Sequence, residues 1–150
     1  MIKRILIPTD FSEPSVQAFH YTIELNKLLK ARLYLLHVIQ ELTDFSELNL
    51  SPAVLPDIYA TFEENAWKRL NELESIIPSD TPYESHVAHG IPFNEIIKFA
   101  QSESIDLIVV GTRGKTGLKE ILFGSTAEKV IRKATCPVLA VRPTGKTFQA

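Results

Sequence analysis

The 150-residue chain carries 16 lysines and arginines against 18 aspartates and glutamates, with 45% apolar and 23% charged residues. This composition suits a folded globular domain rather than a disordered chain, and its formal net charge of −2 removes the electrostatic case for a nucleic-acid binder. The lone cysteine cannot close an internal disulfide, and no apolar run exceeds four residues; one domain over residues 1–150, cytoplasmic and without a membrane-spanning helix, is the expectation.

In chain order, Ile5–Ile7 is a short apolar run that ends at Pro8 and Asp10, too short for the apolar region of a signal peptide. It reads as a buried strand. Ser12–Lys30 comes next with Val16, Phe19 and Ile23 on one helical face, Leu25, Leu28 and Leu29 broadening the stripe, and Ser12 placed to cap it. Leu33–Leu36 is a second buried strand. Gln40–Pro56 is long, acidic and irregular, the profile of a lid or a partner surface, or else of a short helix patching the core. Tyr59, Phe62, Ala66, Leu70, Leu73 and Ile77 then step along one face of a helix that Pro78 ends.

Tyr83–His89 alternates weakly and carries Glu84 and His86, so it reads as a half-wet strand at a sheet edge. Pro92 opens a third helix with Phe93, Ile96, Ile97 and Ala100 inward. Leu107–Val110 is a fourth strand. A fourth helix begins near Ser125 with Ala127, Val130, Ile131 and Ala134 inward, and Pro137 leads into the last strand, Val138–Val141. Strands alternating with helices predict an α/β fold: one open, mainly parallel sheet of five strands covered on both faces, with right-handed crossovers.

The segment with most chemistry lies between the fourth strand and the fourth helix, where Gly111, Gly114, Gly117 and Gly124 precede Ser125 and Thr126. Glycines after a parallel strand let backbone N–H groups approach an anion. The N-terminus of the next helix attracts phosphate through its free N–H groups and dipole. Arg113, Lys115 and Lys119 add positive charge. Two Gly-Lys-Thr triplets, at Gly114 and Gly145, imitate the end of a Walker A motif, but the required earlier glycine is replaced by Val109 and Ala140. The first strand runs into Pro8-Thr9-Asp10 without a glycine, so a dinucleotide fingerprint is missing as well.

Gly111, Gly114, Gly124 and Ser125 fit the pattern G-x2-G-x9-G-[ST]. Together with the opening Ile5-Leu-Ile-Pro-Thr-Asp10, with Gly90-Ile-Pro92, with Asp106–Val109 and with Cys136–Leu139, this spacing resembles the universal stress protein family, in its ATP-binding branch, over nearly the whole chain. The resemblance implies a Rossmann-like sheet in the order 3-2-1-4-5, of the adenine-nucleotide α-hydrolase-like type. It implies that Pro8, Thr9, Asp10 and the backbone of Val38 hold the adenosine end of ATP, with Mg²⁺ or Mn²⁺ as its companion. Gly111, Arg113, Gly114, Gly124, Ser125 and Thr126 would hold ribose and phosphates. It also implies a homodimer through Pro137–Arg142 and a regulatory role in the stress response. That strand order puts a switch point between the first and fourth strands, where parallel sheets bind ligands beyond their carboxyl ends.

Bland roles compete for several of these residues. Asp10 with Glu13, and Ser125 with Glu128, each have the spacing of a capping box. The four histidines do not cluster as metal ligands; His86 and His89 fall on opposite faces of one strand. Cys136 reads as a small buried hydrophobe, and Trp67 as packing or interface. Glu120 and Glu128 are the carboxylates near the glycine loop, and neither makes a convincing general base. The alternatives to a nucleotide-binding regulator are a slow ATPase or nucleotide hydrolase, and a protein-interaction module whose glycine loop is only structural.

Overall fold

The structure is a computed structural model that describes residues 1–41, 51–114 and 121–143, with the backbone alone described at 113, 114, 121 and 122. The main sheet is built from β1 (Arg4–Pro8), β2 (Arg32–Gln40), β3 (Tyr83–Gly90), β4 (Leu107–Gly111) and β5 (Val138–Val141). The helices are α1 (Glu13–Leu29), α2 (Leu55–Glu74), α3 (Pro92–Ser102) and α4 (Ser125–Lys133). The strands lie in the spatial order β3-β2-β1-β4-β5, all neighbours parallel. A short antiparallel ribbon pairs Arg113–Gly114 with Ile121–Leu122 between β4 and α4.

The runs Ile5–Ile7, Leu33–Leu36 and Leu107–Val110 are apolar at every position because both faces of the central strands are covered. Successive side chains point to opposite faces. Ile5, Ile7, Leu33, Leu35 and Val109 pack with Phe19 of α1 and Leu70 of α2. Leu6, Tyr34, Leu36, Ile108 and Val110 pack with Ile96 and Ala100 of α3 and Ala127 and Val130 of α4. A carboxylate fastens the lower edge: Asp106, just before β4, accepts from the Lys3 and Arg4 N–H groups at 2.8 and 2.9 Å.

Several local expectations are corrected. Leu28 and Ile131 face solvent, 85% and 40% exposed, so the buried stripes of α1 and α4 are narrower than their apolar content. Residues 42–50 of the expected irregular stretch lie outside the described part. Regular structure resumes earlier than the apolar stripe implies: Pro52–Val54 form a 3₁₀ turn and Pro56 sits in the first turn of α2. That helix stops at Glu74, short of Pro78, while Ile77 still reaches the core from the turn beyond. Within the strand expected to carry a homodimer, Val141 does not face outward. Its side chain is buried in the α1–α2 face of the core, whereas Leu139 is 38% exposed.

Candidate functional site

The strand order reverses beside β1, because β2 and β4 flank it while their chain connections run to opposite sides of the sheet. Loops leaving the carboxyl ends of β1 and β4 part there, and a cleft of about 370 Å³ opens between them. Pro8, Thr9, Asp10, Val38, Gly111, Gly124, Ser125 and Thr126 all line it. Of the other two residues expected there, Arg113 and Gly114 enter the short ribbon; the Arg113 side chain lies outside the described part, as do Lys115, Gly117, Lys119 and Glu120.

One wall is the β1–α1 loop. β1 pairs with β2 as far as Pro8 opposite Leu36, and the Thr9 N–H then donates to the Leu36 carbonyl at 2.9 Å. Backbone groups two residues apart along a strand point the same way. The N–H and C=O of Val38 therefore face past the end of β1, into the cleft. Thr9 is buried and its hydroxyl is fully used. It accepts from the Phe11 N–H at 3.0 Å and stands 3.0 Å from the Ser15 hydroxyl. The Ser15 proton is spent on the Ser12 carbonyl at 2.9 Å, so Thr9 must donate to Ser15.

Asp10 does not act in a capping box. Its Oδ1 accepts from the N–H and the hydroxyl of Ser12, an Asx turn that starts the loop. Ser12 occupies the N-cap position of α1, but its hydroxyl serves Asp10 and not the helix, and Glu13 pairs with Gln17 at 3.4 Å. Burial alone would raise the carboxyl's pKa; the hydroxyl and N–H of Ser12, together with the Ser15 hydroxyl and the residue's own backbone, outweigh it and hold Asp10 below the ordinary aspartate value of 3.8. Asp10 is thus an anion at neutral pH, on the wall of the cleft.

The opposite wall is the start of α4. Gly124, in extended conformation, is the N-cap, and Ser125 is the first helical residue with no capping bond from its side chain. Glu128 is no reciprocal partner either, since its carboxylate pairs with Arg132 at 3.2 Å. The exposed Ser125 hydroxyl is without a partner among the described residues, and the free N–H groups of the first turn open onto the same cleft.

Gly111 lines the cleft and has a packing duty as well. A Cβ there would stand 2.3 Å from the Pro14 carbonyl oxygen and 2.9 Å from the Ser15 nitrogen, all backbone atoms. The glycine lets the first turn of α1 lie against the end of β4, and so sets the width of the cleft.

Sequence reasoning missed Gln40, Pro92 and Ile96, which also line the cleft. Pro92 was legible only as a helix start; its nearness to Ser125 comes from α3 and α4 packing on one sheet face. Also missed was a cluster behind the β1–α1 loop. His37 packs its ring on Phe11 with centroids 4.5 Å apart, and its Nδ1–H donates to the Thr9 carbonyl at 2.8 Å. Burial pushes the His37 pKa down, so its ring is neutral. Among the described residues no cluster of metal-ligating side chains occurs, and no helix is long and apolar enough to cross a membrane.

An open parallel sheet with a polar cleft at its switch point, between a strand-end carboxylate and a helix N-terminus, defines a doubly wound α/β domain with its cleft where such sheets bind ligands. The model of the universal stress protein family matches residues 1–142, and the chain belongs to that family. It is 38% identical to the universal stress protein MJ0577 of Methanocaldococcus jannaschii, over 95% of this chain and 96% of that one. The solved structure of MJ0577 superposes with a TM-score of 0.80, covering 97% of this chain and 99% of that one. MJ0531 of the same organism is 35% identical over 95% of this chain and 83% of its own length. At 18% identity and a TM-score of 0.56, a family member from Arabidopsis thaliana with AMP bound shares the fold, covering 95% of this chain and 92% of that one.

Proposed function

We propose that this chain is an adenine-nucleotide-binding regulatory protein, with ATP as the ligand to test first. The observation that carries the reading is the arrangement of two sets of polar groups facing one another across one cleft. On one side stand the Asp10 carboxylate and the backbone of Val38, which suit the amino group and ring nitrogens of a base and the hydroxyls of a ribose. On the other stand the Ser125 hydroxyl and the bare N-terminus of α4, which suit phosphate. Gly124 adds no side chain between them.

The same geometry favours binding over turnover. Phosphoryl transfer to water needs a positioned nucleophile and charge neutralisation on the phosphates. Asp10 is the only carboxylate among the described cleft residues and lies across from the phosphate end, tied to Ser12. Mg²⁺ or Mn²⁺ would arrive on the polyphosphate, and any hydrolysis would be slow. In this reading the protein reports nucleotide occupancy through a homodimer formed along β5. Denaturing the purified protein and identifying released small molecules by mass spectrometry tests it. An adenine nucleotide in the supernatant is expected; none released, together with no heat of ATP binding to protein purified free of nucleotide, would reduce the cleft to a structural feature.

A further inference from the structure

The β1–α1 loop that carries Thr9 and Asp10 has the cleft on one side and a second cavity, of about 340 Å³, on the other. Asp10, Val38 and Gln40 line both. Between the two cavities the loop is seated by Phe11, which packs against the core face shared by α1 and α2, and by a small set of specific contacts. The backbone of Phe11 needs such contacts. Its φ is +63°, a left-handed conformation that a bulky residue with a Cβ adopts only when neighbours hold it there.

Besides that core packing, three contacts do so. The Phe11 N–H donates to Thr9 Oγ1, and His37 stacks on the ring. The third comes from α2, 58 residues along the chain. Arg69 places its guanidinium 4.6 Å from the centre of the Phe11 ring and donates from Nη2 to the Phe11 carbonyl at 3.2 Å. One side chain thus grips both the ring and the backbone of the strained residue. A planar, multi-donor cation can do both at once; an ammonium cannot reproduce that fork.

We infer that Arg69 is a positioning residue for the cleft: acting through Phe11, it holds Thr9 and Asp10 where the nucleoside end of the ligand meets them. The inference rests on the nucleotide reading for its ligand, though not for its loop. Without Arg69 the loop would visit other conformations, and apparent affinity falls by the fraction of molecules that remain competent. Losing one hydrogen bond and one cation–π contact corresponds to about a tenfold effect.

The test compares Arg69→Ala and Arg69→Lys with the parent in three measurements. Calorimetry with ATP and AMP reads both ends of the cleft, calorimetry with inorganic tripolyphosphate reads the α4 end alone, and amide hydrogen exchange reads the ligand-free loop. Arg69 is exposed, so the variants should fold like the parent. The expected result for Arg69→Ala is about tenfold weaker ATP and AMP binding, unchanged tripolyphosphate binding, and faster exchange at the Phe11 amide. Arg69→Lys should recover part of the loss. Unchanged nucleotide affinity, or tripolyphosphate weakened equally, would overturn the positioning role. If the parent binds no nucleotide, the ligand reading fails while the exchange measurement still decides: faster exchange at Phe11 supports the clamp, and unchanged exchange removes it.

Discussion

Gly111→Ala adds one methyl group where β4 meets the start of α1. The new carbon would lie 2.3 Å from the Pro14 oxygen, 2.5 Å from the Pro14 carbonyl carbon and 2.9 Å from the Ser15 nitrogen. Relief to ordinary van der Waals distance requires the two backbones to part by about 1 Å. No flexible side-chain end is available to move instead. Overpacking of interiors costs about 1–3 kcal/mol, and an obstacle made of backbone places this change near the upper end. For a chain of this length that is a fall of roughly 6–12 °C in melting temperature. The same parting would stretch the bond between Ser15 and Thr9, so nucleotide affinity should fall with stability. Urea denaturation measures the loss as a lower midpoint at unchanged slope. A midpoint within about 0.5 kcal/mol of the parent would show that α1 does not press on β4, and that the glycine is there for another reason.

Ser125→Ala should weaken ATP binding by about ten- to a hundredfold, the value of a hydrogen bond to a charged group. Because that hydroxyl caps nothing, a melt should show stability within about 0.5 kcal/mol of the parent. The Lys3 N–H holds the Asp106 carboxyl below its ordinary 3.8 against the opposing effect of burial, and the Arg4 N–H and charge add to the lowering. A depressed pKa gives stability that is present above pH 3.8 and is lost as pH falls through the folded value. Asp106→Asn should therefore be less stable than the parent at pH 7, with a shallower decline below about pH 4 in pH-dependent urea titrations. On β5, Leu139→Lys should weaken self-association in sedimentation equilibrium while leaving the fold intact. Val141→Lys should instead unfold the protein, since Val141 is core; a folded, monomeric Val141→Lys would contradict that assignment.

The architecture was legible because burial on both faces leaves an unambiguous mark. Ile5–Ile7, Leu33–Leu36, Leu107–Val110 and Val138–Val141 are all strands of the sheet, and α1 spans nearly the residues its pattern indicates. β2 runs four residues past Leu36, through His37 and Gln40, because β3 pairs with it residue for residue up to Gly90. Apolar content alone did not show that extension. The capping boxes at Asp10 and Ser125 were spacing without geometry: the Asp10 carboxylate forms an Asx turn with Ser12, and the Ser125 hydroxyl caps nothing. Gly90 had a conformational reason that its place in a family landmark hides, since its φ of +142° is one that L side chains rarely adopt. The cleft residues just past β1 and in the glycine segment after β4 were found. Arg69, His37 and Gln40 were not, because their roles depend on α2 and β2 meeting the β1–α1 loop, and no local pattern records such a meeting.

The central claim is that an adenine nucleotide occupies the cleft between the β1–α1 loop and the start of α4. Titrating ATP into isotopically labelled protein and tracking backbone amide shifts tests it directly. The largest changes should fall at Thr9, Asp10, Val38 and Gly124–Ala127, and saturate together. Shifts confined to α2 or the β5 edge, or none at all with ATP in excess, would contradict it.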